Sequence, residues 1–406
     1  MQKITIGLLG LGTVGSGVVK LLEEHAPKIE QIAHTHFILK KVVVAHLDKP
    51  RNISLPSSTI LIDSIDNVVN DPDIDVVIET MGTISRARQA IIQAIHHHKS
   101  VITANKDLIA IEGPKLIQLA KQHHVDLFYE ASVAGGIPIL RILSNSLVTD
   151  QITQVTGIIN GTANYILSSM INQNIDYQEA LQAAQVQGYA EANPTNDVKG
   201  IDTANKLSIL SQFAFGKSLD PKKLNIHGID QLMPAQLVSA HQLGYTIKLL
   251  AIAKHLGNRL YTFVGPCLLS QSSLLAQVNG VQNAVMINSN ALGASLYTGP
   301  GAGAKPTANS ILSDLIAIAN DISNHNCGNA FNNYHQELDR SNLNELPQQY
   351  LLTADHALTS PSFQWEECLK GSNYWSGITP MLTEDELKVF LNTLDTSVKY
   401  LPINPL

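Results

Sequence analysis

The sequence predicts an α/β protein: a parallel sheet with helices on both faces, then an α+β domain built on a mixed sheet, then a small C-terminal α+β tail. Three observations carry this. Short apolar, β-rich runs alternate with helical patterns through the N-terminal third. A glycine-rich turn joins the first such run to the first helical pattern. Near Ala134 the texture changes to longer helical stretches followed by strand runs.

Each element has its own justification. Ile4–Leu9 is a short apolar run that ends at the turn Gly10–Gly15. Thr13–Ala33 has helical apolar spacing, with Pro27 a natural point of interruption. Phe37–Ala45, Asp75–Thr80, Ser100–Thr103 and Asp126–Tyr129 read as further strands, with helices at Ser85–His97 and Gly113–Gln122 between them. Such alternation implies parallel strands buried on both faces. After Gly135, Gly136 and Pro138, helices are expected at Asn160–Gln173, Tyr177–Gln187, Ile201–Phe215 and Pro234–His255, and strands at 258–269 and 281–298. The turn TGPGAGAKPT (298–307) leads into a helical pattern, Ala308–Asp321, expected to rejoin the first domain. In the tail, Glu345–Pro347 and Ser360–Pro361 read as loops. Thr383–Leu394 reads as a helix with Thr383 as its N-cap, and Val398–Leu401 as a strand. The expected domains are 1–134, completed by a returning helix near 306–325; 135–305; and a tail, 343–406.

Composition narrows the function classes. With 406 residues, 44% hydrophobic and 15% charged, the chain is neither disordered nor highly charged. A net charge of −7 argues against a nucleic-acid partner, since phosphate backbones need a basic face. Cys267, Cys327 and Cys368 are too few and too scattered for a disulfide framework or a zinc motif. The start, MQKITIGLLGLGTVG, lacks the layout of a signal peptide, and no run approaches 18 uninterrupted apolar residues. A cytoplasmic enzyme with a small-molecule substrate and no membrane partner is expected. His96–His98 and His123–His124 fall near predicted helix ends, where histidine caps carbonyls, and are not read as metal ligands. Trp365 and Trp375 are read as packing residues.

The turn Gly10-Leu11-Gly12-Thr13-Val14-Gly15 follows a strand and opens a helix. Its first glycine permits the tight turn, its second lets a pyrophosphate approach the backbone, and its third allows close strand–helix packing. The helix N-terminus then offers N–H groups to the anion. This is the pattern of a Rossmann-type dinucleotide-binding domain; a purely structural glycine turn is the alternative. The second strand ends at Val44-Ala45-His46-Leu47-Asp48-Lys49-Pro50-Arg51, with no carboxylate at its tip to bond a ribose 2′-hydroxyl. Lys49 and Arg51 could meet a 2′-phosphate, which favours NADP(H) over NAD(H). Asp48 keeps NAD(H) open, and ordinary loop charges remain an equal reading.

The segment 188–206 carries the most specific chemistry. Asp202 and Lys206 are spaced i, i+4 on one helical face. On an arbitrary helix that spacing is a solvated ion pair. Here a second lysine, Lys106, ends the segment Thr103-Ala104-Asn105-Lys106 at the carboxyl end of a predicted strand, where parallel sheets bind ligands. An amine crowded by a like charge and by burial can serve as acid or base near neutral pH.

Several blocks together resemble the homoserine dehydrogenase family, of the monofunctional type. They are GLGTVG (10–15), VITANKDLIA (101–110), YEASVAGGIPIL (129–140), GIINGTANYIL (157–167), GYAEANPTNDVKGIDTANKL (188–207), GYTIKLLAIAK (244–254), VNGVQNAV (278–285) and TGPGAGAKPTA (298–308). The resemblance covers about residues 3–325. It implies NAD(P)-dependent interconversion of L-homoserine and L-aspartate 4-semialdehyde, on the aspartate-derived route to threonine and methionine. It implies Lys206 as the acid–base residue at the reacting oxygen and Lys106 assisting at the nicotinamide end. Glu191 and Asp202 would hold the substrate, through its ammonium group. Gly10, Gly12, Thr13, Val14, Gly15, Lys106, Gly188 and Gly303 would meet the cofactor. A sodium ion near the hinge would take Glu130, Val133, Gly135 and Ile137, mostly through backbone carbonyls; a plain glycine hinge is the alternative. A homodimer or higher homo-oligomer, formed through the substrate domain, is also implied.

Two departures stand out. His46 occupies a position where many relatives carry an arginine. The tail resembles the closing helix and strand of an ACT regulatory domain, but 348–369 lacks the Asp-Arg-Pro-Gly turn that opens its first helix. A shrunken packing element, rather than a threonine-responsive module, is therefore expected. A catalytically silent amino-acid sensor is the alternative from another class, and the presence of Lys106, Glu191, Asp202 and Lys206 together argues against it. Another Rossmann-type oxidoreductase for an amino-acid semialdehyde is the alternative among enzymes.

Overall fold

The computed structural model describes residues 1–358, 360, 363–394 and 397–404; Pro361 of the expected Ser360–Pro361 loop lies outside them. The chain divides into two compact units, one of residues 1–149, 208–220 and 299–335, the other of 150–207, 221–298 and 336–406.

In the first unit β1 (Gln2–Leu9) leads through the glycine turn into α1 (Thr13–Glu24). The expected helix Thr13–Ala33 is interrupted at His25 and resumes as α2 (Ala26–Ala33), with Pro27 in its first turn, where a missing N–H costs nothing. Then come β2 (Thr35–Val43), β3 (Ile60–Ile62), α3 (Asp66–Val69), β4 (Val76–Glu79), α4 (Ile84–His96), β5 (Ser100–Thr103), α5 (Lys106–Gln122), β6 (Leu127–Phe128) and α6 (Ile139–Arg141). The six strands are parallel, in the order β3-β2-β1-β4-β5-β6. The order reverses between β1 and β4, so the carboxyl ends of those two strands border the ligand crevice of a doubly wound sheet. Two details depart from expectation. β3 is only three residues long and was not foreseen, and α5 begins at Lys106 rather than Gly113, running through Pro114. α4 and α5 end on histidines: His97 and His123 are the C-caps, and His98 and His124 take positive φ just beyond.

The second unit starts with β7 (Ile152–Ile158), followed by α7 (Gly161–Gln173), α8 (Tyr177–Val186), α9 (Thr195–Val198) and the first half of α10 (Ile201–Phe215), whose residues from Ser208 on are assigned to the first unit. α11 (Pro234–Gln242), β8 (Tyr245–Leu256), β9 (Arg259–Ser270), β10 (Gln282–Ser289) and β11 (Gly293–Pro300) follow. The helix expected over Pro234–His255 is therefore corrected. It stops at Gln242, Gly244 reverses the chain at φ +79°, and Tyr245 opens a twelve-residue strand. α12 (Ala304–Ser323) belongs to the first unit and packs on α1, where Gly17 lies so close that an added Cβ would sit 2.4 Å from the Ala304 carbonyl oxygen.

The tail contributes β12 (Asp339–Asn342), β13 (Gln349–Ala354), β14 (Glu367–Lys370), β15 (Trp375–Ile378), α13 (Glu384–Leu391) and β16 (Lys399–Ile403). It extends the second sheet, ordered β11-β10-β7-β8-β9-β16-β13-β15-β14, with β12 also on β9. Most pairs are antiparallel, while β12 and β16 run parallel to β9, so the sheet is mixed. Among the described residues of the tail the order is β13, β14, β15, α13, β16, with no helix described between β13 and β14. Thr383 caps α13, as expected, in a capping box with Glu386. Trp365 and Trp375 meet edge to face, 4.8 Å apart, inside the tail's aromatic cluster.

Candidate active site

The glycine turn has the geometry its spacing requires. Gly10 has φ +100°, and a Cβ there would lie 2.9 Å from the Thr80 carbonyl oxygen. A Cβ on Gly15 would lie 2.1 Å from the Gly10 oxygen, so both positions need glycine. Gly12 is the opposite case: nothing lies within 4 Å of its missing Cβ, which leaves room for a ligand. α1 has no side-chain cap and no acid in its first turn, so its leading N–H groups face an anion without competition. A cleft of about 540 Å³ opens there, bordered by Gly12, Ser16, His46, Lys49, Arg51 and Arg86.

The 2′-phosphate candidates sort differently from expectation. The Arg51 guanidinium turns back on its own loop, donating to the carbonyls of Lys49 (2.7 Å), Leu47 (3.2 Å) and His46. It shapes the loop. Lys49 and Arg86 line the cleft, and Arg86, in the first turn of α4, escaped the sequence reading because the start of α4 is far along the chain from the second strand tip.

Lys106 stands at the first position of α5. Asn105 caps that helix, its side-chain oxygen accepting from the Leu108 N–H at 3.1 Å. The preceding residues are locked to the neighbouring strand tip: Thr103 Oγ1 donates to Glu79 at 2.6 Å and accepts from the Asn105 N–H at 3.0 Å. Glu79 is fully buried at the end of β4, and its burial raises its pKa against the pull of Thr103 and backbone donors. Asn105 Nδ2 is buried with no hydrogen-bond partner, an orphaned donor beside the helix start.

In the second unit the structure brings Asp202 and Lys206 together. Lys206 Nζ donates to Asp202 Oδ2 and to the Ile159 carbonyl, both at 2.8 Å. Their side chains are only 6% and 12% exposed, so this is no solvated surface pair. Asn160 Nδ2 donates to Asp202 Oδ2 at 2.8 Å and to Asp197 Oδ1 at 2.7 Å. Asn160 was missed by sequence reasoning: an asparagine before Gly-Thr signals a helix start and nothing more. Glu191 lies on an exposed turn, its carbonyl accepting from Gln185 at 3.2 Å. Gly188 has φ +75° with nothing within 4 Å of its missing Cβ.

The expected cation loop belongs to the first unit. Ala134 and Gly135 both have positive φ, and a Cβ on Gly135 would lie 2.4 Å from the Gly301 oxygen. Carbonyl oxygens of Glu130, Gly135 and Ile137 accept from Val133 N–H (3.4 Å), Ser310 Oγ (2.6 Å) and Ile139 N–H (2.8 Å). The Glu130 carboxylate accepts from the N–H groups of Leu140 (2.9 Å) and Arg141 (2.8 Å), and burial together with Asp314 pushes its pKa up to about 8. Asp314, paired with the Arg141 guanidinium, is pushed up to about 7 by burial. The turn thus sets main-chain carbonyls, three of them already accepting hydrogen bonds, beside two buried acids.

Known proteins resemble the chain in sequence and fold. The family model for the homoserine dehydrogenase NAD-binding domain matches residues 10–130, and the homoserine dehydrogenase model matches 138–316. The homoserine dehydrogenase of Bacillus subtilis (strain 168) is 43% identical over 331 residues, 82% of this chain and 76% of the relative. A solved homoserine dehydrogenase from Thiobacillus denitrificans superposes with a TM-score of 0.92 at 33% identity, covering 100% of this chain and 99% of that one. The S. aureus homoserine dehydrogenase at pH 7.0 gives 0.81 at 29% identity, with both chains fully covered.

Proposed function

We propose, because the chain belongs to the homoserine dehydrogenase family and so interconverts L-homoserine and L-aspartate 4-semialdehyde with a nicotinamide cofactor, that Lys206 is the residue that moves the proton. The observation that carries this is the enclosed Lys206–Asp202 pair. A bound nicotinamide would supply the hydride acceptor for the carbinol carbon of homoserine. Lys206, as the free amine, takes the hydroxyl proton; in the reverse direction its ammonium stabilises the developing oxyanion and returns the proton. Asp202 and Glu191 hold the substrate ammonium. Lys106, set by the Asn105 cap, assists at the nicotinamide end.

In this reading the turn Gly10, Gly12, Thr13, Val14 and Gly15 receives the pyrophosphate, with Gly188 and Gly303 as further cofactor contacts. Lys49 and Arg86 face the 2′-phosphate, which makes NADP(H) the preferred cofactor. Glu130, Val133, Gly135 and Ile137 hold a monovalent cation, sodium, through their carbonyls. Functional segments follow as 1–134 with the helix near 306–325 for the nucleotide, 135–305 for substrate and dimerisation, and 343–406 as a shortened ACT-like tail. A homodimer formed through the second unit belongs to the same reading.

The test is nicotinamide absorbance. The purified protein with L-homoserine and NADP⁺ should gain absorbance at the reduced-nicotinamide band, faster than with NAD⁺ at equal concentration. Absence of any homoserine-dependent reduction with either cofactor would sink the reading. Replacing sodium chloride by choline chloride at constant ionic strength should lower kcat/KM, and no change would remove the cation from it.

A further inference from the structure

We infer that Asn160 is a positioning residue for the acid–base pair, an assignment that rests on the reading of Lys206 given above. Asn160 is 5% exposed, and its one amide does three things. Its oxygen accepts from the Ala163 N–H at 2.8 Å and so caps α7. Its nitrogen donates one hydrogen bond to Asp202 Oδ2 (2.8 Å) and one to Asp197 Oδ1 (2.7 Å). The residue before it, Ile159, supplies the carbonyl that holds Lys206 Nζ at 2.8 Å. Residues 159 and 160 therefore grip both members of the pair, Lys206 from the main chain and Asp202 from the side chain.

The choice of an amide has a physical reason. Asp197 and Asp202 come from α9 and α10, and both need donors where they meet β7 and α7. A lysine or arginine between them would add a second cation beside Lys206 and compete for Asp202. A neutral amide gives each carboxylate a donor and adds no charge. The charged groups that face Asn160 are thus Asp197 and Asp202 directly and Lys206 through Asp202. Because the amide oxygen is spent on the α7 cap, both N–H groups are aimed at the carboxylates, and a flip of the amide would lose all three bonds.

The capping and positioning roles can be separated. Aspartate and serine are both good N-caps, so Asn160→Asp and Asn160→Ser keep α7 capped while losing the amide donors. Asn160→Ser should lower kcat for homoserine oxidation about 10- to 100-fold, with KM for the cofactor within about twofold of wild type. Asn160→Asp should lose at least as much and also move the Lys206-dependent limb of the kcat–pH profile upward by about one pH unit, because a third carboxylate favours the ammonium. Both should melt within a few degrees of wild type. Wild-type kcat and an unmoved pH profile in both variants would overturn the assignment. So would activity losses that only follow a fall in melting temperature, with the Asn160→Asp limb unmoved. If Lys206→Ala in the otherwise native protein leaves that limb in place, the reading of Lys206 has failed, not that of Asn160.

Discussion

At Lys206 the ammonium is shared between a carboxylate oxygen and a main-chain carbonyl at equal 2.8 Å distances. Two partners fix the position of Nζ. Asp202 serves both the lysine and, in the proposed function, the substrate ammonium. Asp202→Asn keeps the shape and removes the charge. It should raise KM for homoserine at least about tenfold while leaving the dissociation constant for NADP⁺ unchanged, read by nicotinamide fluorescence. Equal weakening of both would show that the site had collapsed rather than lost a charge. On the nucleotide side, Arg86→Ala should raise KM for NADP⁺ several-fold more than KM for NAD⁺. A uniform effect on both cofactors would leave the 2′-phosphate to Lys49. The lysine–acid spacing was legible because i, i+4 is a covalent fact of a helix. Asn160 and Arg86 were not, since both act across segments that only the folded chain brings together.

The start of α5 and the middle of β8 show what elements contribute. Asn105 caps α5 and thereby sets the first helical residue, Lys106. Asn105→Ala should cost about 1 kcal/mol of stability and lower kcat, while Asn105→Asp should retain most of both. Lys248, in β8, is 1% exposed and donates to the Val278 carbonyl (2.6 Å), Asn279 Oδ1 (2.9 Å) and Asn164 Oδ1 (3.1 Å). It thus ties the 278–279 loop to α7. All three partners are neutral, and burial lowers its pKa to about 8 from 10.5. The folded state then binds fewer protons than the unfolded state between those values, so stability should rise from pH 8 to pH 10 by up to about 3 kcal/mol. Chemical denaturation of wild type against Lys248→Met should show the rise in wild type and a flatter curve in the variant; parallel curves would contradict it. β8 also shows where element prediction stops. Its residues Ile247–Ala253 are all buried, Lys248 included, and a run apolar but for one residue has no clear period to separate strand from helix. The strands of the first sheet other than the three-residue β3 were legible because turns bound them closely and helices alternate with them.

For the molecule as a whole, the tail is continuous with the second unit's core. Leu351, Ile378, Leu401 and Ile403 share one apolar cluster with Leu237, Ile247, Leu249 and Leu268. Its β16 also pairs with β9, whose other edge partner outside the tail is β8. Truncation after His335 should therefore open a long apolar sheet edge and give aggregated or poorly soluble protein. A soluble, fully active truncation product would show that the tail is an independent module. The closing helix α13 of the tail was legible from its N-cap, Thr383. The tail's role in the core was not, because strand pairing between distant segments leaves no local mark in a sequence. The first unit is the reverse case: three glycines at fixed spacing specify the turn, its clearance and its packing before any coordinates are known.

Proton transfer in the proposed function depends on one amine, that of Lys206. Steady-state turnover of Lys206→Ala at saturating L-homoserine and NADP⁺, with cofactor affinity measured on the same sample, tests it most directly. The account predicts kcat lower by at least about 100-fold with cofactor affinity unchanged. A kcat within a few-fold of wild type, in a protein that still binds cofactor, would contradict it.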